Sequence, residues 1–541
     1  MFKPRRPEIL MLVLALYIAL VLNQPFWRKV YNVVAPQDLG DWWFLAAMLI
    51  AIVLAAYLIT LAFSLKPVIR IAILVLLPAT AAASYFMNEY GVVIDTNMVR
   101  NIFETDRGET GDLITFKLVA YIGLLGLLPA ILFCVVPWTP RTFKDEAVAK
   151  LKWAGVAFVL FALAVFPVWG NFLSLFRAHT ELKMTLTPFN YLSALARYVH
   201  KRDVANAGKS LLPYGEDAHR GAGSPAHKKL FVVVVGETAR WDHFALNGYD
   251  RPTNPELSKV KDLLDYPHAF SCGTDTAQSV PCMFSGLGKA KFTNAKAASQ
   301  QNLLDILKRV DIGVLWRENQ AGCKGVCARV PTETLTGHKV PASSPSSENF
   351  DDVLVDGLDD RIAKLDRDTV IVLHMMGSHG PAYWKRYPAS YEMFKPACKV
   401  AEFSHCEVKD IVNAYDNSIV YTDHVLARLI QVLSGAASHG VDAGMLYVSD
   451  HGESLGENNM YLHGMPYAIA PEAQIHVPMI VWLSPSMLES TGIDHGCLMK
   501  NTSERVSQDN LFHSVLGLMD VKTRVYDPAL DLFSACRKSP S

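Results

Sequence analysis

Charge is scarce in this sequence, and what there is cancels. Lys and Arg number 51 and Asp and Glu 52 in 541 residues, a charged share of 19% where an ordinary soluble domain has roughly 25%. A net charge of −1 leaves no basic surface for nucleic acid and no acidic tail. Cysteine is sparse too, with nine in the whole chain, so a small scaffold held by disulfides alone is excluded. No internal repeat is present, which removes solenoids and propellers. The apolar share of 51% is too high for a disordered chain.

Long charge-free runs occupy the first third. Residues 9–27, 42–65, 71–88, 118–140 and 153–176 give runs of 19, 24, 18, 23 and 24 residues without Asp, Glu, Lys or Arg. A helix of about 20 mostly apolar residues crosses a bilayer core, so five membrane helices are expected. Lys3, Arg5 and Arg6 precede the first run, Lys66 and Arg70 separate the second and third, and Arg141, Lys144, Lys150 and Lys152 separate the last two. Basic residues at span ends mark the cytoplasmic side, which sends the C-terminal two-thirds across the membrane. No small-residue cleavage site follows the first run, so it is expected to stay attached. Transport would need ionisable residues or broken helices within the spans. These spans carry no charge, although Pro78, Pro129 and Pro167 fall inside three of them. They are read as an anchor.

Cysteine placement bears on the same point. Cys134 lies in the fourth run, and the other eight all follow the fifth. An even set confined to the exported part implies disulfides in an oxidising compartment. Sequence-near pairing gives Cys272–Cys282, Cys323–Cys327, Cys398–Cys406 and Cys497–Cys536. A thiolate zinc site is disfavoured because no two CxxC units occur.

Residues 177–229 mix aromatics, basic residues and then Gly, Pro and Ser, which suits an interfacial helix and a linker after a membrane domain of residues 1–176. From residue 230 to 541 the pattern changes to short apolar runs that end in polar loops. Residues 230–235, 312–316, 370–373, 445–448 and 477–482 are such runs. Continuous apolar runs of this length read as strands buried on both faces of a parallel sheet. Helical segments such as 301–309 and 408–433 lie between them, so an α/β domain with a doubly wound, mostly parallel sheet is expected.

In such sheets ligands bind beyond the carboxyl ends of the strands. The polar residues there are Glu237, Asn319, His374, His379, Asp450, His451 and Glu453, joined by His463. Carboxylates with imidazoles suit Zn²⁺, then Mn²⁺, and Ca²⁺ least. Residues 271–285 add a glycine turn followed by hydroxyls at a predicted helix N-terminus, where phosphate binds. A hydroxyl beside a metal there can serve as a nucleophile. Composition does not choose among Thr274, Thr276 and Ser279.

Four motifs carry a resemblance. They are Gly-Glu-Thr-Ala-Arg (236–240), Ser-Cys-Gly-Thr-x-Thr-Ala-x-Ser-Val-Pro-Cys-Met (271–283), His-x-Met-Gly-x-His-Gly-Pro-Ala-Tyr (374–383) and Ser-Asp-His-Gly-Glu-Ser-Leu-Gly-Glu-Asn (449–458). They resemble those of the phosphoethanolamine–lipid A transferases, chromosomal and mobile colistin-resistance enzymes of the alkaline phosphatase/sulfatase superfamily. The resemblance extends over essentially the whole chain. It implies Thr276 as nucleophile, sharing a zinc with Glu237, Asp450 and His451. It matches His379 and His463 to histidines that bind a second zinc or the phosphate. Lys324, and Asn319 less clearly, would contact the phosphoryl group or headgroup. Asn101, Thr105 and Glu109, spaced for one helix face, would lie near the donor headgroup. Arg240 and Glu453 are read as supports.

The activity so implied moves phosphoethanolamine from phosphatidylethanolamine to a phosphate of lipid A through a phosphothreonine-type intermediate, conferring polymyxin resistance. A monomer in the bacterial inner membrane, with its catalytic domain in the periplasm and no nucleic-acid partner, is expected. Related enzymes acting on a core sugar or periplasmic glucan, or hydrolysing a phosphodiester, are the alternatives.

Overall fold

The computed structural model describes residues 4–62, 64, 66–104, 107–206, 211–221, 227–335 and 349–538. Two compact units emerge. One comprises Met1–Phe103 with Ile114–Tyr198, the other Glu104–Leu113 with Val199–Ser541.

The first unit is helical. Among the described residues four helices are long and apolar enough to cross a membrane: Leu39–Ala62, Val68–Glu89, Phe116–Val135 and Phe143–Ala178. The first expected span, 9–27, differs. It is a pair of helices, Pro7–Leu22 and Gln24–Val34, bent by 62°. Pro25 supplies the cause, since its ring removes one backbone donor and crowds the preceding turn. Asn23 repairs the break. Its amide donates to the carbonyls of Ile18 at 2.9 Å and Thr187 at 2.8 Å, and its carbonyl accepts the Thr187 N–H at 2.8 Å. Buried polar groups survive in an apolar setting only when paired in this way.

The second unit is built on a seven-stranded sheet. In chain order its strands are β1 (Lys228–Gly236), β2 (Leu264–Asp265), β3 (Gly313–Glu318), β4 (Thr332–Thr334), β5 (Thr369–His374), β6 (Val441–Ser449) and β7 (Met479–Leu483). The spatial order is β2-β7-β6-β1-β5-β3-β4. β4, β3, β5, β1 and β6 run parallel, and β7 and β2 close one side antiparallel. Leu230–Val235 and Val370–Leu373 are buried throughout, as expected of central strands covered on both faces. β2 and β4 lack that apolar signature because they are short edge strands. Helix Val408–Ser438 is buried along most of its length, from Ile411 to Leu433, polar residues such as Asn413, Asp416, Asn417 and Asp423 included.

Register aligns the strand ends. Gly236 pairs with Ser449, Val235 with His374, and Glu318 with His374. The residues that follow these positions therefore meet at one edge of the sheet.

Four disulfides join Cys272–Cys282, Cys323–Cys327, Cys398–Cys406 and Cys497–Cys536. Cys134 is a free thiol. A bridge stabilises mainly by constraining the unfolded chain, more so for longer loops. Removing Cys497–Cys536, with a separation of 39, is therefore expected to cost about 4 kcal/mol, and removing Cys323–Cys327, with a separation of 4, about 2 kcal/mol. Denaturant unfolding of paired Cys→Ser variants measures this; equal losses would contradict the loop-entropy account.

Candidate active site

Helix Thr276–Met283 carries the central hydroxyl. Asp275 caps it, with extended backbone and a carboxylate that accepts the Gln278 N–H at 3.0 Å. Thr276 thus occupies the first helical position, at the positive end of the dipole among backbone donors with no partner inside the helix. The three hydroxyls that the sequence leaves open go separate ways. Thr274 donates to the Met465 carbonyl at 2.6 Å, and Ser279 accepts the Gly273 N–H at 3.0 Å. Only the Thr276 Oγ1 reaches the strand ends, donating to Glu237 Oε2 at 3.1 Å and lying 3.5 Å from His451 Nε2. The Cys272–Cys282 bridge ties the preceding loop to the last turn of this helix.

Glu237, Asp450 and His451 are all fully buried. Glu237 follows β1 and Asp450 follows β6, so the Gly236–Ser449 pairing sets the two carboxylates side by side. The turn after Glu237 is forced: Thr238 has φ 51°, costly for a β-branched residue. It is held by the Tyr415 hydroxyl, which donates to the Thr238 carbonyl at 2.7 Å, and by Asp450 Oδ1, which accepts the Thr238 N–H at 3.2 Å. Gly377, at φ 53°, lets the loop after β5 press on this turn; a Cβ there would come within 2.7 Å of the Glu237 carbonyl.

Two buried carboxylate oxygens, Glu237 Oε1 and Asp450 Oδ2, receive no hydrogen bond. They stand 3.3 and 3.4 Å from His451 Nε2. His451 Nδ1 lies 2.9 Å from the Gly452 carbonyl, which can only accept, so Nδ1 carries the proton. In the neutral ring Nε2 then offers a lone pair to the same point. This is how a metal-binding histidine is oriented, with its other ring nitrogen tied to a carbonyl. The converging donors fit a divalent cation, and zinc in particular.

Electrostatics agree. Burial and then the Glu237 charge push Asp450 up to about 7. Burial works against a charged His451, yet Asp450 and Glu237 raise it to about 10. Burial raises Glu237 as well, but the charge of the adjacent His451 outweighs this and holds it well below the usual carboxylate range. A proton and a metal ion are alternative ways to neutralise the same triad.

A ring of supports surrounds it. His463 Nδ1 pairs with Glu453 Oε2 at 2.8 Å, and Tyr383 donates to Glu453 Oε1 at 2.7 Å. The His463 ring lies 4.3 Å from that of His451 and 5.5 Å from that of His379. Enclosure lowers the His379 imidazole to about 3, so it is neutral at pH 7. Arg386 Nε donates to the His379 carbonyl at 2.8 Å. Arg240 is paired with Asp242 and Glu457 and donates to the Glu453 carbonyl at 3.2 Å. His374 pairs with Glu318 at 3.1 Å.

Among the other residues singled out from the sequence, Asn319 and Lys324 make bonds outside the triad. The Asn319 amide donates to the Asn349 carbonyl and to Asp351, away from Thr276. Its neighbour Gln320, not singled out, donates to Glu237 Oε2 at 2.9 Å. Only the polar run after β3 hinted at it. Lys324 sits half-buried in the Cys323–Cys327 loop and donates to the Ala321 carbonyl at 3.2 Å. Asn101 is on helix Thr96–Glu104, Thr105 lies outside the described residues, and the side chain of Glu109 is likewise outside them.

Comparisons with known proteins meet this geometry. The family model described as phosphoethanolamine transferase EptA/EptB matches residues 51–202, and the sulfatase model matches residues 229–521. Phosphoethanolamine transferase EptA of Salmonella typhimurium is 39% identical over 98% of this chain and 96% of its own. The chain belongs to the phosphoethanolamine transferase family. Phosphatidylethanolamine transferase Mcr-1 of Escherichia coli is 36% identical, over 95% of each chain. The integral membrane lipooligosaccharide phosphoethanolamine transferase A of Neisseria meningitidis matches in structure with a TM-score of 0.96 at 34% identity, covering 99% of this chain and 100% of that one. As in that family, the helical unit belongs to the bacterial inner membrane and the sulfatase-like unit to the periplasm.

A cation must displace the proton held by Asp450 and His451. Apparent zinc affinity is therefore expected to rise as pH climbs through about 7, where Asp450 loses its proton. Calorimetric titration at acidic, neutral and mildly alkaline pH checks this; a flat profile would contradict the assignment of the triad.

Proposed function

We propose that this enzyme transfers phosphoethanolamine from phosphatidylethanolamine to a phosphate of lipid A, by way of a covalent adduct on Thr276. The observation that carries this reading is the meeting of the Thr276 hydroxyl, at a helix N-terminus, with three buried groups able to hold a cation. Glu237, Asp450 and His451 would hold zinc, which supplies Lewis acidity and lowers the pKa of a bound hydroxyl.

The remaining steps belong to the chain's own residues. Thr276 Oγ1 attacks the donor phosphorus, the bond from phosphorus to the diacylglycerol oxygen breaks, and the threonine proton leaves on that oxygen. Glu237 Oε2 orients the hydroxyl for attack. The helix N-terminus neutralises phosphoryl oxygens, since positioning and charge compensation carry most phosphoryl-transfer catalysis. His379 and His463, with Lys324, hold the phosphoryl group from the open side, and Glu453 fixes the His463 ring. A lipid A phosphate oxygen then attacks the adduct, the bond from Oγ1 to phosphorus breaks, and Thr276 regains a proton.

In this reading residues 1–176 anchor the enzyme, residues 177–229 lie at the membrane surface, and residues 230–541 carry the catalysis. Asn101, Thr105 and Glu109 serve the donor headgroup. The enzyme acts as a monomer. The added ethanolamine cation offsets phosphate charge in the outer membrane, which weakens polymyxin binding.

The test is a reconstitution in detergent with phosphatidylethanolamine and lipid A, followed by mass spectrometry of protein and lipid. Thr276→Ala is expected to fold and to lose transfer by more than about 10³-fold, with no adduct. Retained transfer would remove Thr276 as nucleophile. An adduct on Thr276 with unmodified lipid A would overturn the acceptor alone.

A further inference from the structure

Beside the segment that carries Thr276 lie two cations held on aromatic faces. The Lys289 ammonium is 3.0 Å from the centroid of the Tyr467 ring, and the Arg505 guanidinium carbon is 3.9 Å from that of Phe270. Cations sit over ring faces because the ring quadrupole attracts them, and a cation held this way keeps its N–H donors free. Among the described residues neither makes an ion pair or donates a hydrogen bond to the protein. The acid nearest to Lys289, Asp509, is committed to the Lys289 backbone N–H, at 2.9 and 3.1 Å. Burial lowers the Lys289 ammonium to about 8 and Arg505 acts in the same direction, while Asp509 opposes both. Two cations that disfavour each other, with uncommitted donors, are a place where an anion lowers the energy.

The backbone links this place to the reaction. Phe270 is in a short strand paired with His476–Val477 on one side and Val506–Ser507 on the other, so Arg505 enters directly beside it. Tyr467 Oη donates to the Ser271 carbonyl at 3.1 Å. Farther along, Thr274 bonds to Met465 through its hydroxyl at 2.6 Å and to Gly464 through its carbonyl at 2.9 Å. Segments 271–276 and 463–467 therefore run side by side. Thr276 and His463 are at one end, and Tyr467 with Lys289 is at the other. Five residues of fully extended chain reach at most about 18 Å, within the compass of one phosphorylated saccharide headgroup.

We propose that Lys289 and Arg505 form an anion subsite for the acceptor, gripping a phosphate of a phosphorylated saccharide headgroup other than the phosphate that reacts. This rests on the transfer reaction proposed above. It assigns acceptor recognition to residues that take no part in forming the adduct.

The two half-reactions separate the claims. Full-length enzyme is charged with phosphatidylethanolamine, adduct formation on Thr276 is followed by intact mass, and the adduct is then discharged with bisphosphorylated lipid A or with its monophosphorylated form. Lys289→Met and Arg505→Gln keep the aliphatic stems over the rings. Each is expected to form adduct at the wild-type rate and to raise the lipid A concentration for half-maximal discharge about tenfold. Lys289→Arg is expected to restore it, and the monophosphorylated acceptor is expected to erase the difference between wild type and variants. Unchanged half-saturation in the double variant would overturn the subsite. So would slowed adduct formation, which would assign these residues a structural role. If the wild type forms adduct that lipid A does not discharge, the acceptor reading falls instead.

Discussion

Two carboxylates and an imidazole buried at the ends of adjacent parallel strands are the constraint on which the rest of this active site depends. Glu237 and Asp450 repel each other in a setting from which water is excluded, and like charges so close cannot both ionise without a counter-charge. His451, with Nδ1 tied to the Gly452 carbonyl, turns Nε2 toward both carboxylates. The triad is costly as protein alone and favourable around a cation. That is the signature of a site kept for chemistry, because stability alone would favour an apolar replacement.

Neighbouring features make sense as means of holding this triad in place. The left-handed Thr238 aims Glu237 inward and is pinned from two sides, by Tyr415 and Asp450. Gly377 permits a backbone contact that any side chain would block. Asp275 caps the helix so that Thr276, and no other hydroxyl, lies at its N-terminus facing the carboxylates. Glu453 receives Tyr383 and His463 on its two oxygens, which fixes the second imidazole beside the first. Each contact sets an orientation, and orientation is the main resource in phosphoryl transfer.

Compartment and chemistry are matched as well. All four bridges lie in the periplasmic unit, and one of them closes the loop that leads into the helix carrying Thr276. The long helices of the other unit carry no Asp, Glu, Lys or Arg over residues 42–62, 71–88, 118–135 and 153–176, as a bilayer core requires. A similar economy governs Asn23, which satisfies the Ile18 carbonyl at a bend that Pro25 imposes and ties it to Thr187.

Much of this was legible in the sequence because it rests on local signals. Apolar runs of strand length, charge-free runs of membrane length and the confinement of eight cysteines to one part of the chain need no partner to be read. The motifs also placed the carboxylates and histidines at strand ends. What the tertiary structure alone decided are the matters of register and direction. Composition left Thr274, Thr276 and Ser279 open; packing against 463–467 commits Thr274 to the Met465 carbonyl, and the turn at Gly273 occupies Ser279. The sequence offered Asn319, whereas the turn after β3 sends that amide to Asp351 and brings Gln320 to Glu237. It showed one uninterrupted first span where the chain bends by 62°. The physical reason is the same in each case: hydropathy and composition report how much a residue prefers to be buried, while the direction of a hydroxyl, an amide or a helix axis is set by partners far away in the chain.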